Sequence, residues 1–236
     1  MTLDALPLFV LGPDFFPGFT GTLRVFEPRY KQMMDDCIMD SRPFGYISAD
    51  PSKGELNGWS QPSDHGVLCY VRNYEESGSN LIIEVEATNA FAIKHVIQPV
   101  LPSLADGERF PGVEELMEEA GNPDGGKLYL RADVEVLGPP DVDYDDEAFT
   151  TFLDLLAPVR QLLQMSSMYK GQILEFRGSE YYDDDLLRAE LVWKVCCALC
   201  YDVYLQQEML SQTTFSTLIE ICTSRVVEIL ARMEEE

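Results

Sequence analysis

Apolar positions alternate with polar ones through the first part of the chain, then recur at three and four residues in the last part; the change falls at Gly138-Pro139-Pro140. Leu6 to Gly12 is a continuous apolar run of strand length stopped by glycine, the pattern of a strand buried on both faces. Pro17-Gly18 predicts a turn, because proline presets φ and glycine accepts positive φ. Thr22 to Phe26 alternates as a second strand, and Glu27-Pro28 opens a helix whose inward face is Tyr30, Met33, Met34, Cys37 and Ile38. Further strands are predicted at Phe44 to Ile47 and Gly66 to Val71, then at Leu81 to Ala87 and Phe91 to Ile97 as a pair around Thr88-Asn89, and at Lys127 to Leu137. Tyr74 to Asn80 reads as a turn.

Two stretches interrupt this pattern. Asp50 to Asp64 is a polar loop holding one large aromatic, Trp59, which either contacts a partner or folds back as a lid on the local core. Gln98 to Gly126 is rich in proline and glycine and predicts one short acidic helix, Val113 to Ala120, either a solvated surface or a partner-binding insertion.

Beyond Asp141 the spacing becomes helical. Glu147 to Met168 carries an apolar stripe broken or kinked at Pro158, and Asp183 to Gln207 is apolar on nearly all sides, as expected of a helix at the centre of a bundle. Phe215, Ile219, Cys222, Val226, Ile229 and Met233 form a seam on a last helix that Ser211 or Thr213 can cap; the seam suits packing within the chain or a coiled-coil dimer.

Leu6-Pro7-Leu8-Phe9, Leu11-Gly12, Phe16-Pro17-Gly18, Leu23 and above all Phe26-Glu27-Pro28-Arg29-Tyr30 carry a family resemblance. In this order they resemble the start of the N-terminal substrate-binding domain of Lon proteases. Phe44-Gly45, Gly66 with the apolar run after it, Phe91, and Tyr129 before the strand at Ala132 continue the match. Ala90 departs from it, standing where the family has arginine. The resemblance implies a PUA-like pseudo-barrel followed by a helical subdomain, and a role in binding unfolded or degron-bearing polypeptides, as an adaptor to a separate protease or in delivering clients to one. No second ATPase element and no serine–lysine protease domain follow in the sequence.

Charge narrows the partners. With 17 Lys and Arg against 41 Asp and Glu the formal net charge is -24, a surface that repels nucleic-acid backbones and anionic membranes. The acidity fits adaptation to a saline cytoplasm as well as it fits a particular partner. No apolar run approaches the ~18 residues of a membrane-spanning helix, and no basic-then-apolar leader is visible. The 6 cysteines lie mostly in apolar periodic segments, which predicts reduced, buried thiols and a cytoplasmic protein.

The chemistry of an enzyme is not assembled in the sequence. Gly121 to Lys127 has the spacing of a phosphate loop, but Leu128 replaces the magnesium-binding hydroxyl and the helix lies before it, not after. Asp141 to Glu147 begins like a calcium loop and then has Asp146 where glycine is required and Phe152 where glutamate is required. Cys197 and Cys200 form a C-x-x-C inside a helix without a second pair, which reads as buried packing. His65 beside Asp64 could serve as a base, yet neither it nor His95 has a recognisable nucleophile.

The sequence therefore predicts an α+β protein: a β-rich domain at 1–140, with an insertion at 98–126, and a helical subdomain at 141–236. It predicts no catalytic residue, metal or cofactor. The candidate polypeptide contacts, chosen by loop position and side-chain type, are Phe15, Phe16, Tyr46 and Trp59. An RNA-binding PUA-like protein and a hydrolase of unknown substrate remain the alternative readings.

Overall fold

A computed structural model describes residues 1–102 and 112–235. The chain divides into two units, one of Met1–Gly12 with Thr20–Leu137, the other of Pro13–Phe19 with Gly138–Glu236. The first holds strands β1 (Thr2–Leu11), β2 (Thr20–Val25), β3 (Phe44–Ala49), β4 (Glu55–Leu56), β5 (Trp59–Ser60), β6 (Pro62–Ser77), β7 (Asn80–Ile97) and β8 (Arg131–Val136). It also holds helices α1 (Pro28–Met39) and α2 (Val113–Glu119). Residues 103–111 of the predicted insertion lie outside the described residues.

The main sheet runs β2-β7-β6-β3-β1-β8, and β7 pairs with β8 as well, so five of its strands close into a barrel. Closure depends on β7, which is one long strand and not the predicted pair. Its first part pairs with β2 from Leu81 to Glu86, and its second part pairs with β8 from Phe91 to Ile97. Thr88-Asn89, polar enough to suggest a break, is the point where β7 changes partners. The predicted turn at Tyr74 to Asn80 shrinks likewise: β6 runs to Ser77, and only Gly78, at φ 62°, and Ser79 reverse the chain.

Leu6, Leu8, Ile47, Trp59, Leu68, Phe91, Leu130, Ala132 and Val134 fill the barrel interior. Two glycines make room for Phe91. A Cβ on Gly45 would lie 2.7 Å from the tip of its ring, and one on Gly66 would lie 2.5 Å from it. These are the glycines of β3 and β6 that the family resemblance singled out.

The second unit holds five α-helices among the described residues, α3 (Asp146–Leu156), α4 (Arg160–Tyr169), α5 (Asp185–Leu199), α6 (Val203–Leu210) and α7 (Phe215–Glu235). Three or four were expected. Pro158 separates α3 from α4 through a single 3-10 turn, as its position predicts. The predicted helix at 183–207 is two, because Cys200 takes an extended ψ of 123° and Asp202 caps a new helix, accepting from Leu205 N at 2.8 Å. α7 begins later than expected, and neither Ser211 nor Thr213 caps it. Thr214 Oγ1 accepts from Thr217 N at 3.4 Å, while Asp143 accepts from Ser216 N at 2.9 Å and from Ser216 Oγ at 2.6 Å. Its partners hold the Asp143 carboxyl below the usual carboxylate range.

The other acids of the 141–147 run are likewise structural: Asp145 caps α3 through Ala148 N and Asp146 pairs with Arg188 at 2.6 Å. Lys170 does the same service at a C-terminus, donating from Nζ to the carbonyls of Cys197 and Cys200 at 2.6 and 2.5 Å. Lys170→Met keeps the aliphatic stem and leaves those two carbonyls without their cation. Urea denaturation is expected to show a loss of about 1–2 kcal/mol at unchanged m.

All six cysteines are free and buried. Cys196 and Cys222 face each other at 3.6 Å between α5 and α7, and burial raises the Cys196 thiol well above its ordinary value.

Candidate functional site

The pentapeptide Phe26 to Tyr30 links β2 to α1, and its side chains divide the work. Pro28 sits in the first turn of α1, where its missing N–H costs no helical bond. Arg29 pairs with Glu27 at 2.7 Å and lies over two rings, 4.6 Å from the centroid of Tyr30 and 4.2 Å from that of Trp59. Tyr30 donates to the carbonyl of Val10 at 3.3 Å, and burial pushes its hydroxyl up to about 12. The motif is therefore a clamp that ties β1, α1 and the 50–64 loop together. Its fifth side chain, Phe26, is 51 % exposed.

That clamp decides the fate of Trp59. Asn57-Gly58 turns a two-residue hairpin, β4 against β5, and delivers the indole inward at 5 % exposure, with Nε1 donating to Leu101 O at 3.1 Å. Of the two readings of Trp59, the structure has the lid. Tyr46 is also inside the first unit, on the wholly buried start of β3, its ring 6.2 Å from Phe9 and nearly perpendicular to it.

Phe15 and Phe16 fall in the other unit. Phe15 stacks on Phe19 at 3.7 Å, Phe16 lies 6.1 Å from Trp193, and Gln206 Nε2 donates to the carbonyl of Phe15 at 3.0 Å. Phe15, Phe16 and Tyr46 are exposed by 3 % or less. All four candidates thus lie under the surface and support it, and they divide between the two units. Burying about 150–250 Å² of ring apiece stabilises the fold strongly enough to hold them there.

Among the described residues the first unit has an exposed sheet edge and a cleft. β2 is, among the described residues, the last strand on its side of the sheet, with Thr20, Thr22 and Arg24 exposed along it and Phe26 exposed just past its end. Beside it on β7, Glu84 is exposed opposite Thr22. The cleft, of about 230 Å³, lies where the end of α1 meets β6 and is lined by Cys37, Ile38, Arg42, Val71, Arg72 and Tyr74 among others.

The cleft's two guanidinium groups are already engaged. Arg42 donates to Tyr129 Oη at 3.2 Å, and Tyr129 donates to Asp36 at 2.5 Å. Arg72 pairs with Glu86 at 2.6 Å and lies 5.6 Å from the ring of Tyr70. Lys127, the lysine of the apparent phosphate loop, is bound to Asp36 at 2.8 Å.

Burial pushes the Cys37 thiol up to about 12, the opposite of what a nucleophile needs. His95 lies 3.6 Å from Asp133, and His65 sits in β6 opposite Ala92. Among the described residues no group of three or more His, Cys, Asp or Glu could hold a metal ion, and no helix is long and apolar enough to cross a membrane.

The sequence profile of the ATP-dependent protease La (LON) substrate-binding domain matches residues 5–228. The chain belongs to that family. The match spans both units, so the helical unit is part of the family's domain and not an appendage. No curated protein matches the chain.

Among solved structures it is similar to a Lon N-terminal domain protein from Xanthomonas campestris, at 17 % identity and a TM-score of 0.56, over 97 % of this chain and 98 % of that one. It is also similar to the N-terminal domain of a Mycobacterium avium complex Lon protease, at 12 % identity and a TM-score of 0.56, over 95 % and 98 %. At such identities the likeness speaks for the fold, strands first and helices at the C-terminal end. Membership makes the chain a substrate-recognition module of the LON kind. Sequence reasoning missed Phe26 as a surface residue, although alternation in the predicted strand Thr22 to Phe26 puts it on the face of Thr22 and Arg24.

Proposed function

We propose that this domain binds unfolded or degron-bearing polypeptides as an extra strand along β2, without catalysis, and serves as an adaptor that presents them to a separate protease. One observation carries the reading. Among the described residues β2 ends the sheet without a further strand on its outer side, and an exposed phenylalanine stands at its end. An extended chain laid on a sheet edge gains main-chain hydrogen bonds whatever its sequence, which suits a receptor for many clients. Phe26 adds an apolar contact that favours clients with exposed hydrophobic side chains. Arg24 on the strand and Glu84 beside it on β7 oppose edge-to-edge aggregation in the free protein.

The test is fluorescence anisotropy of a labelled, permanently unfolded polypeptide of balanced charge, titrated beside labelled single-stranded RNA. Saturable binding of the polypeptide alone is expected, weakened about tenfold by Phe26→Ser. Equal affinity of Phe26→Ser and parent would remove β2 and its flank from the site. Binding of RNA in place of polypeptide would favour the nucleic-acid alternative that the surface charge argues against.

A further inference from the structure

A second binding surface lies in the helical unit. Residues of α6, of the turn before it and of α7 line a groove of about 590 Å³ that includes Tyr201, Tyr204, Leu205, Glu208, Glu220 and Ile221. Tyr201 and Tyr204 are 62 % and 63 % exposed, while Leu205 and Ile221 are half-buried. Four carboxylates line it, Asp202, Glu208, Glu220 and Glu228, against one guanidinium, Arg225. Arg225 lies 4.1 Å from the centroid of Tyr201 and is bonded to Glu228 at 2.6 Å. The groove thus holds one arginine already, by ring face and carboxylate together, and has a second ring, Tyr204, with Glu208 and Glu220 alongside it in the lining.

We infer that this groove binds a polypeptide segment in which arginine or lysine alternates with apolar side chains. Cations find tyrosine faces and carboxylates there, and the apolar residues cover Leu205 and Ile221. A second copy of the chain is a poor occupant, since each carries a net charge of -24 and the groove itself is acidic. The inference is independent of the β2 reading: it concerns the other unit and selects by charge, so either can fail alone.

The test titrates the full chain into a fluorescein-labelled peptide of repeating Arg-Leu-Lys-Ala units, beside the same peptide with glutamate at every basic position. Saturable binding of the basic peptide alone is expected. Glu208→Gln with Glu220→Gln should raise its Kd about tenfold, and Tyr204→Ala should weaken it comparably. Glu75→Gln with Glu76→Gln, which removes two exposed acids from the β6 end, serves as the charge control.

Equal weakening by that control, or no effect of the groove substitutions, would overturn the inference by showing diffuse attraction to an acidic surface. Sedimentation equilibrium covers the other occupant: a dimer that Tyr204→Ala dissociates would put a second copy in the groove and overturn it as well. Circular dichroism of each variant shows that exposed substitutions have left the fold intact.

Discussion

Trp59→Ala is expected to lower the stability of the barrel unit by about 3 kcal/mol, the low end for emptying a buried tryptophan site, because its short hairpin can settle part-way into the space. Three interactions are lost together: the ring's place among Leu6, Leu8 and Phe91, the face that Arg29 covers at 4.2 Å, and the donor to Leu101 O. Trp59→Phe separates them. It keeps a smaller apolar ring for the core and for Arg29 and deletes the N–H together with part of the indole's volume, so about 1–2 kcal/mol is expected from the unmet carbonyl and the space left. Urea denaturation followed by far-UV circular dichroism measures both, and a shift in midpoint at constant m identifies the cause as lost native stability. The result also decides what this tryptophan is for. Full stability with lost client binding would make Trp59 a contact residue; lost stability, with client affinity unchanged below the transition, is the outcome its burial predicts.

How much of this was legible beforehand follows from which signals are local. The junction at Glu27-Pro28, the interruption at Pro158 and the acidic helix at Val113 to Glu119 rest on backbone rules acting within a few residues, and each is where the spacing put it. The unity of β7 is not local. Thr88-Asn89 is polar because one partner strand is left and another is met there, and nothing nearby in sequence distinguishes that from a turn. The split of the long helix at Cys200 was hidden because apolar positions continue through it; Asp202, a good cap in the middle of an apolar run, was the available signal.

The candidate site suffered most from the same limit. Phe15, Phe16 and Trp59 were chosen as aromatics outside regular elements, which is equally the description of residues that close over a core. Only tertiary partners, Trp193, Phe19 and Arg29, tell the two apart. Phe26 is the converse, an apolar residue at a strand's end that the fold leaves outside.

The same reasoning gives the second large effect, at the glycines inside the barrel. Gly45→Ala is expected to cost about 1–3 kcal/mol, because its new methyl would stand 2.7 Å from Phe91 Cζ and 2.9 Å from Leu8 Cδ2, both side-chain atoms in a filled interior. Phe91→Leu alone should cost about 1–2 kcal/mol through the cavity it opens. Combined, the two should destabilise by clearly less than their sum, since the methyl occupies space the ring has left. Gly66→Ala looks similar by its contact with the ring at 2.5 Å, but its methyl would also lie 2.7 Å from the carbonyl oxygen of Tyr46, a backbone atom. Shortening Phe91 cannot move that carbonyl, which is fixed by the pairing of β3 with β6. Rescue of Gly45→Ala by Phe91→Leu, with little rescue of Gly66→Ala, is therefore the expected pattern in a double-mutant cycle read by urea denaturation. Equal rescue of both would mean that β3 and β6 can part at Tyr46, and that ring volume alone requires glycine on those two strands.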